Sequence, residues 1–185
     1  MASLRHLSTG ELAAWVATHL RSRGIDVVLS GGAVVAIYSA GQYVSLDMDF
    51  IEESLGNRNR LRNALAGIGW TERNRYFVHP ETKYFLEFPA GPLSVGDEPI
   101  GEVMHLEYPT GVLRLLSPTD CVKDRLAAFY HWKDQQSLAQ AVLVARSRAI
   151  DLPEVERWSR GEKSLAGFRA FQARLAGDDT TAGRA

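Results

Sequence analysis

The first part of the chain changes from helical to strand-like spacing of its apolar residues. Ser8 and Glu11 form a capping-box pair, and apolar residues at helical spacing follow it, which predicts a helix over residues 9–23. A β-branched run at residues 25–30 predicts a buried strand, and a diglycine interrupts this run before a short apolar stretch. The pattern therefore predicts a helix, a strand, a glycine turn and a second helix.

Apolar and polar residues then alternate over residues 44–50, as they do in a strand with one buried face. This alternation predicts that the carboxylates of Asp47 and Asp49 project from the same face. The residues expected on the core side are Val44, Leu46, Met48 and Phe50, and those expected on the opposite side are Ser45, Asp47 and Asp49.

The middle of the chain carries shorter apolar runs, divided by residues that favour turns. Helical spacing returns once, with arginines on the outer face of the helix, and later runs are short and strand-like. The predicted elements are a helix over 57–67, a hairpin of strands at 75–79 and 83–88, a surface loop at 90–102, and strands at 103–108 and 111–116.

Beyond residue 116 the spacing is helical throughout, and the segment SPTD opens this part with Ser117 as N-cap and Pro118 at the first helical position. This change from strand-like to helical spacing predicts an α+β fold, in which a small mixed sheet with flanking helices is followed by a helical C-terminal part. The predicted helices are 118–131, 135–148, 153–160 and 163–175. The predicted divisions are an α/β core over 1–116, a helical part over 117–176 and a flexible tail over 177–185.

Composition narrows the class of protein. The chain has 185 residues, 45% hydrophobic and 23% charged, which suits one globular domain, and its net charge of -1 means that any site for a polyanion must be local. Cys121 is the only cysteine, which excludes an intramolecular disulfide framework and multi-cysteine zinc sites. Charged residues interrupt the N-terminal apolar segment, so we expect neither a signal peptide nor a membrane span, and we expect a cytoplasmic location.

Three acidic residues and a diglycine form the candidate site. Carboxylates two residues apart on a strand lie about 6 to 7 Å apart, so Asp47 and Asp49 can share divalent cations, and Glu87 on a later strand could complete the cage. The small residues at 30–32 begin a predicted helix, where backbone amides can cradle phosphate. This combination suits phosphoryl-type transfer. The alternative is that the two aspartates face solvent on an edge strand and that Glu87 pairs with Lys83 across the hairpin.

The segment SGGAVVAIYSAGQYVSLDMDF resembles the nucleotidyltransferase motif of the DNA polymerase β-like superfamily, and more closely its abortive-infection AbiEii-type branch, which includes toxins of toxin-antitoxin pairs. The resemblance lies in a diglycine turn followed, after residues 33–46, by Asp-x-Asp-hydrophobic. It implies a nucleotidyltransferase-like fold, an NTP such as ATP, and Mg²⁺ or Mn²⁺. The implied metal ligands and catalytic residues are Asp47, Asp49 and Glu87, and the implied nucleotide-binding residues are Ser30, Gly31, Gly32 and Ser45.

The resemblance continues downstream, where Lys123 matches a lysine that contacts nucleotide phosphate and Asp134 matches the acidic residue after it. Two positions depart from the pattern: Tyr43 stands in place of an arginine, and Ser137 in place of a second aspartate. The alternatives from the residues alone are an exposed ion-pair face for Lys123 and a helix cap for Asp134.

The resemblance implies a divalent-metal-dependent enzyme that moves a nucleoside monophosphate from an NTP to a hydroxyl and releases pyrophosphate. The acceptor is open between tRNA, for a toxin-like enzyme that could have a partner or antitoxin protein, and a small molecule of the aminoglycoside type. A third alternative is a binding or regulatory protein that keeps the fold without catalysis. An RNA could follow Arg58, Arg60, Arg62, Arg73 and Arg75, whereas a cationic acceptor could use Asp97, Glu98 and Glu102.

Overall fold

The computed structural model describes residues 4–53 and 57–177. The N-terminal part begins with a short 3₁₀ turn, Leu4–His6, and continues into helix α1, Thr9–Ser22. Ser8 caps α1, and both hydrogen bonds of the predicted capping box with Glu11 are present.

One mixed sheet organises the fold, and its strands follow the chain order β1 (Val27–Ser30), β2 (Asp47–Glu52), β3 (Thr71–Arg73), β4 (Tyr76–Val78), β5 (Phe85–Glu87), β8 (Val103–Tyr108) and β9 (Gly111–Leu116). The spatial order is β3-β4-β5-β2-β1-β9-β8. The pairs β1–β9 and β2–β5 are parallel, whereas the other neighbours are antiparallel. Two very short strands, β6 (Ser94–Val95) and β7 (Glu98–Pro99), form a separate hairpin.

In the described part of the chain, six further helices complete the α+β fold: α2 (Gly31–Tyr38), α3 (Arg58–Ala66), α4 (Pro118–Trp132), α5 (Gln135–Ser147), α6 (Leu152–Gly161) and α7 (Leu165–Gly177). The ends of α3 to α7 lie within about two residues of the predicted ends, because side-chain caps fix most of their starts. Asn57, Ser117, Asp134 and Asp151 each accept a backbone N–H at the start of a helix. The proposed tail at 177–185 lies outside the described residues from position 178 onward.

The core lies on one face of the sheet, where Leu29, Met48, Phe50, Phe77 and Leu86 are fully buried. Helix α1 packs against β1 and β9, and α2 contacts β1, β2, α4 and α5. Helices α4 to α7 pack on one another, so α2 joins the sheet to the helical part.

The structure corrects the predicted start of β2. Met48 and Phe50 are buried as expected, but Val44 and Leu46 are 63% and 41% exposed, because the strand begins only at Asp47. The apolar alternation before that position does not correspond to a paired strand.

The structure also corrects the predicted loop at 90–102, because part of it forms the β6–β7 hairpin, where Val95 is buried and its carbonyl accepts a hydrogen bond from Trp158 Nε1.

Among the helices of residues 4–53 and 57–177, none has both the length and the apolar character needed to cross a bilayer.

Candidate active site

Backbone register brings three predicted site residues into one row of the sheet. Ser30 on β1 lies opposite Asp49 on the antiparallel strand β2, and Asp49 lies opposite Glu87 on the parallel strand β5. Residues directly opposite one another project from the same face of a sheet, and residues two apart on one strand do so as well. Asp47, Asp49 and Glu87 therefore share one face, opposite the face that carries the core.

The diglycine turn lies directly against this face. Gly31 has φ +69, in the left-handed region, and a Cβ at this position would collide with Asp49 Oδ2. A Cβ on Gly32 would lie 2.7 Å from Ser45 Oγ. The Ser30 hydroxyl donates to the Asp49 carbonyl oxygen at 3.2 Å and does not cap α2. The start of α2, with its free backbone amides, is therefore next to the carboxylates.

We expect Gly31→Ala to displace the Asp49 carboxylate and to lower the free energy of unfolding by about 1–2 kcal/mol, because alanine is strained at positive φ. Gly41→Ala is the matched control, since Gly41 also has a positive φ, of +83, but a Cβ at that position would meet no described atom within 4 Å. Urea denaturation and Mg²⁺ binding of both variants provide the measurement. Equal effects of the two substitutions on Mg²⁺ binding would contradict a collision of the Gly31 Cβ with Asp49.

The electrostatics of the row centre on Asp49. Burial, and to a smaller extent the neighbouring carboxylates of Asp47 and Glu87, together raise the pKa of Asp49 to about 7, whereas the positive charge of Arg125 acts in the opposite direction. Ser45 donates a hydrogen bond to Asp47 Oδ1. A group of partly buried carboxylates whose charges repel one another is an environment that a bound cation would stabilise.

Glu87 has an arginine partner in this structure. Arg75 lies in the two-residue loop between β3 and β4, and its Nε is 3.3 Å from Glu87 Oε1. Its guanidinium also lies 4.8 Å from the centre of the Tyr76 ring. Lys83, the alternative partner considered from sequence, has its ammonium 5.9 Å from the ring centre of Tyr84.

The donor atoms suit a hard divalent cation. Carboxylate oxygens are the ligands that Mg²⁺ and Mn²⁺ prefer, and Asp47 and Asp49 present them on one face beside a helix start. In the part of the chain that the structure describes, no three His, Cys, Asp or Glu side chains are already arranged as a metal cage. The pair Asp47 and Asp49 therefore fits a cation, while the Glu87 carboxylate is in contact with Arg75.

Helix α4 presents two cations on different faces. Lys123, the predicted phosphate ligand, has only 7% of its side chain exposed, and its Nζ contacts Glu154 at 2.7 Å and Asp120 at 3.5 Å. The structure therefore places Lys123 against α6 and not among the carboxylates. Residues two apart on a helix point in nearly opposite directions.

Arg125 is the cation of α4 whose field reaches Asp49, and its side chain is 18% exposed. Its guanidinium donates to Asp124 Oδ2 at 2.9 Å and to Gln140 at 3.3 Å. Sequence reasoning missed this residue. The helical repeat predicts that Arg125 and Lys123 project from different faces of α4. It does not predict which of these faces is turned toward the sheet.

Asp134 and the two departures from the motif lie near the start of α5. Asp134 caps α5 through Gln136 N at 2.9 Å, and it also accepts the Ser137 hydroxyl at 2.5 Å. The hydrogen bond from Ser137 holds the pKa of Asp134 below its usual value, with a smaller contribution from the charge of Arg125. Gln136 Nε2 donates to the Tyr43 hydroxyl at 3.4 Å. The hydrogen bond between Tyr43 and Gln136 thus connects the segment before β2 with the helical part, whereas Ser137 bonds within the start of α5.

Comparison with known proteins identifies the fold. No protein-family model matches the chain, and no curated protein matches its sequence. The structure is similar to that of an antigenic nucleotidyltransferase-like protein from Paracoccidioides brasiliensis, with 15% identity, a TM-score of 0.64, and coverage of 94% of this chain and 91% of the other.

Two structures of the antibiotic-resistance factor ANT(2'')-Ia also align. The solution structure gives 17% identity, a TM-score of 0.48, and coverage of 90% of this chain and 94% of the other. The crystal structure with adenylyl-2''-tobramycin gives 16% identity, a TM-score of 0.47, and coverage of 87% and 95%. The likeness to the Paracoccidioides protein, which extends over almost the whole of both chains, shows that this chain has a nucleotidyltransferase-like α+β fold.

Proposed function

We propose that the protein is a divalent-metal-dependent nucleotidyltransferase that transfers a nucleoside monophosphate from an NTP to a hydroxyl acceptor. The observation that carries this proposal is the position of Asp49, which lies between the diglycine turn and Glu87 on one sheet face. Phosphate-binding amides and metal-binding carboxylates are thereby neighbours, as nucleotidyl transfer requires. The nucleotidyltransferase-like fold supports the same activity.

The nucleotide would bind on the side of α2 and α4. Backbone amides at the start of α2 donate to phosphate oxygens, and Gly31 and Gly32 lack the side chains that would prevent close approach. The positive charge of Arg125 acts on Asp49, and Ser45 orients Asp47 by its hydrogen bond. In this proposal Arg125, and not Lys123, interacts with the triphosphate.

Asp47 and Asp49 would hold Mg²⁺ or Mn²⁺, which when bound neutralises phosphate charge and polarises the α-phosphate. The acceptor hydroxyl oxygen forms a bond to the α-phosphorus, the bond between that phosphorus and the α–β bridging oxygen breaks, and pyrophosphate leaves. Glu87 would accept the hydroxyl proton, and its position on β5, between Asp49 of β2 and Tyr76 of β4, supports this role.

Two measurements test the proposal: calorimetric titration with NTP in the presence and absence of Mg²⁺, and an assay for transfer of labelled NMP. We expect Mg²⁺-dependent NTP binding in the wild type and its loss in the double variant Asp47→Asn, Asp49→Asn. Glu107→Gln is the matched control, because Glu107 is an exposed acid on the opposite edge of the same sheet. Unchanged metal-dependent binding in the double variant would show that the assignment is wrong.

A second candidate is a nucleotide-binding protein without catalysis. The observation that favours it is the ion pair between Arg75 and Glu87, which occupies the proposed base. Its expected behaviour is Mg²⁺-dependent NTP binding with no transfer to RNA, nucleotides or amino alcohols. A role as an AbiEii-type toxin with a cognate partner stays a prediction from the sequence resemblance.

A further inference from the structure

We propose that the acceptor is a nucleotide, either free or at the end of an RNA strand, and that it binds on the sheet face formed by β3, β4 and β5. This inference rests on the proposed function, because it concerns the acceptor side of the same site. Four residues define this acceptor surface: Arg73, Arg75, Tyr76 and Phe85. None of them belongs to the nucleotide side described above.

The acceptor surface continues the row of carboxylates. Glu87 lies opposite Tyr76 on β4, and Tyr76 lies opposite Arg73 on β3. Because opposed residues share a face, the sequence of side chains across the sheet is Asp49, Glu87, Tyr76 and Arg73. A molecule bound over Tyr76 would therefore have its reacting hydroxyl within reach of Glu87 and the metal-binding aspartates.

Aromatic rings on this surface suit a nucleobase. Tyr76 and Phe85 have ring centroids 4.9 Å apart at an angle of 72°, and both side chains are only half-buried. Phe85 lies opposite Asp47 on the neighbouring strand, so the rings directly border the carboxylates. Partly exposed aromatic rings bind nucleobases by stacking, and this binding depends little on which base is present.

The charges on this surface suit a phosphate. Arg75 has 70% of its side chain exposed and reaches from the loop tip over the Tyr76 ring to Glu87, while Arg73 is exposed on the edge strand. The acid nearest to them on β3, Glu72, already accepts from Arg58 and Arg62, which neutralises it. Arg73 and Arg75 therefore stand against the single carboxylate of Glu87, and the net positive charge of this surface favours an anionic ligand.

A cationic amino sugar fits this surface less well. The arginines repel it, and Glu98, one of the three loop acids that could have attracted it, is already bound to Arg157 of α6 at 2.6 Å. The charge distribution of the acceptor surface thus favours a nucleotide over an aminoglycoside.

Direct acceptor binding tests the inference without NTP. The binding of a labelled short single-stranded RNA is measured by fluorescence anisotropy. Competition by a nucleoside monophosphate or by an aminoglycoside then distinguishes the three possible acceptors. We expect Arg73→Gln together with Arg75→Gln to weaken binding of RNA or of the monophosphate by about tenfold, since two phosphate contacts and one stacked cation are lost. Arg169→Gln, an exposed arginine on α7, is the matched control.

The charge-conserving variant Arg73→Lys with Arg75→Lys should retain most of the binding, which separates loss of charge from damage to the hairpin. Equal RNA and monophosphate binding by wild type and the glutamine variant, or preferential binding of the aminoglycoside, would overturn the inference. NTP binding of the wild type is measured separately. Its absence would contradict the proposed function, whereas loss of RNA binding in the glutamine variant would still support the acceptor surface.

Discussion

Asp49→Asn is expected to lower nucleotidyl transfer by about a thousandfold or more and, at about pH 8, to raise the free energy of unfolding by about 1–2 kcal/mol. The loss of transfer follows from removal of a metal-binding carboxylate. The gain in stability follows because the substitution removes a half-buried charge that is repelled by Asp47 and Glu87.

The sign of the pH dependence follows from the same carboxyl. The pKa of Asp49 is about 7 in the folded protein and about 4 in an unfolded chain. Protonation therefore stabilises the folded state fully below about pH 4, and this contribution is lost as pH rises through 7. The advantage of Asn should be absent near pH 4 and complete near pH 8.

Urea denaturation of Asp49→Asn and wild type at both pH values provides the measurement, and Asp97→Asn, at an exposed turn, is the control. A variant that is less stable than wild type at high pH would contradict the electrostatic description of the site.

Lys123→Met is expected to lower the free energy of unfolding by about 3 kcal/mol, because it leaves Asp120 and part of Glu154 buried without their ammonium partner. NTP affinity should be unchanged, since Lys123 faces α6. Arg125→Met should instead weaken NTP binding by about tenfold or more, because Arg125 is the cation of α4 whose charge acts on Asp49.

Chemical denaturation and calorimetric NTP titration of both variants separate the two roles. Lys123→Arg serves as a control that keeps the charge of the buried ion pair. If Lys123→Met weakened NTP binding while stability stayed unchanged, the phosphate role implied by the sequence resemblance would be correct and our assignment to Arg125 wrong.

The sequence predicts most elements of this fold because the signals are local. Capping residues mark the helix starts, and the diglycine and the Asp47-x-Asp49 pattern both lie within one strand-turn-helix-strand segment. The hairpin of β4 and β5 is likewise predicted from adjacent runs and is confirmed. The β3 strand was missed, since three mostly exposed residues carry no apolar alternation.

The rest of the site depends on contacts between distant residues. Arg75 reaches Glu87 because the register of β4 on β5 brings the loop tip over that strand, and no local pattern fixes this register. The choice between Lys123 and Arg125 depends on which face of α4 packs on the sheet. Two cations two residues apart give no local signal for that choice.

The parallel pairing of β2 with β5 has a consequence for how this protein could diversify. The two strands meet over only three opposed pairs, at residues 47–49 and 85–87, and they connect two compact pieces of chain. One piece carries the diglycine and both aspartates, and the other is the β3–β5 meander. Because the seam is so short, exchange of the meander for another with a glutamate at the same register would change the surface beside Glu87 while the diglycine and both aspartates kept their places.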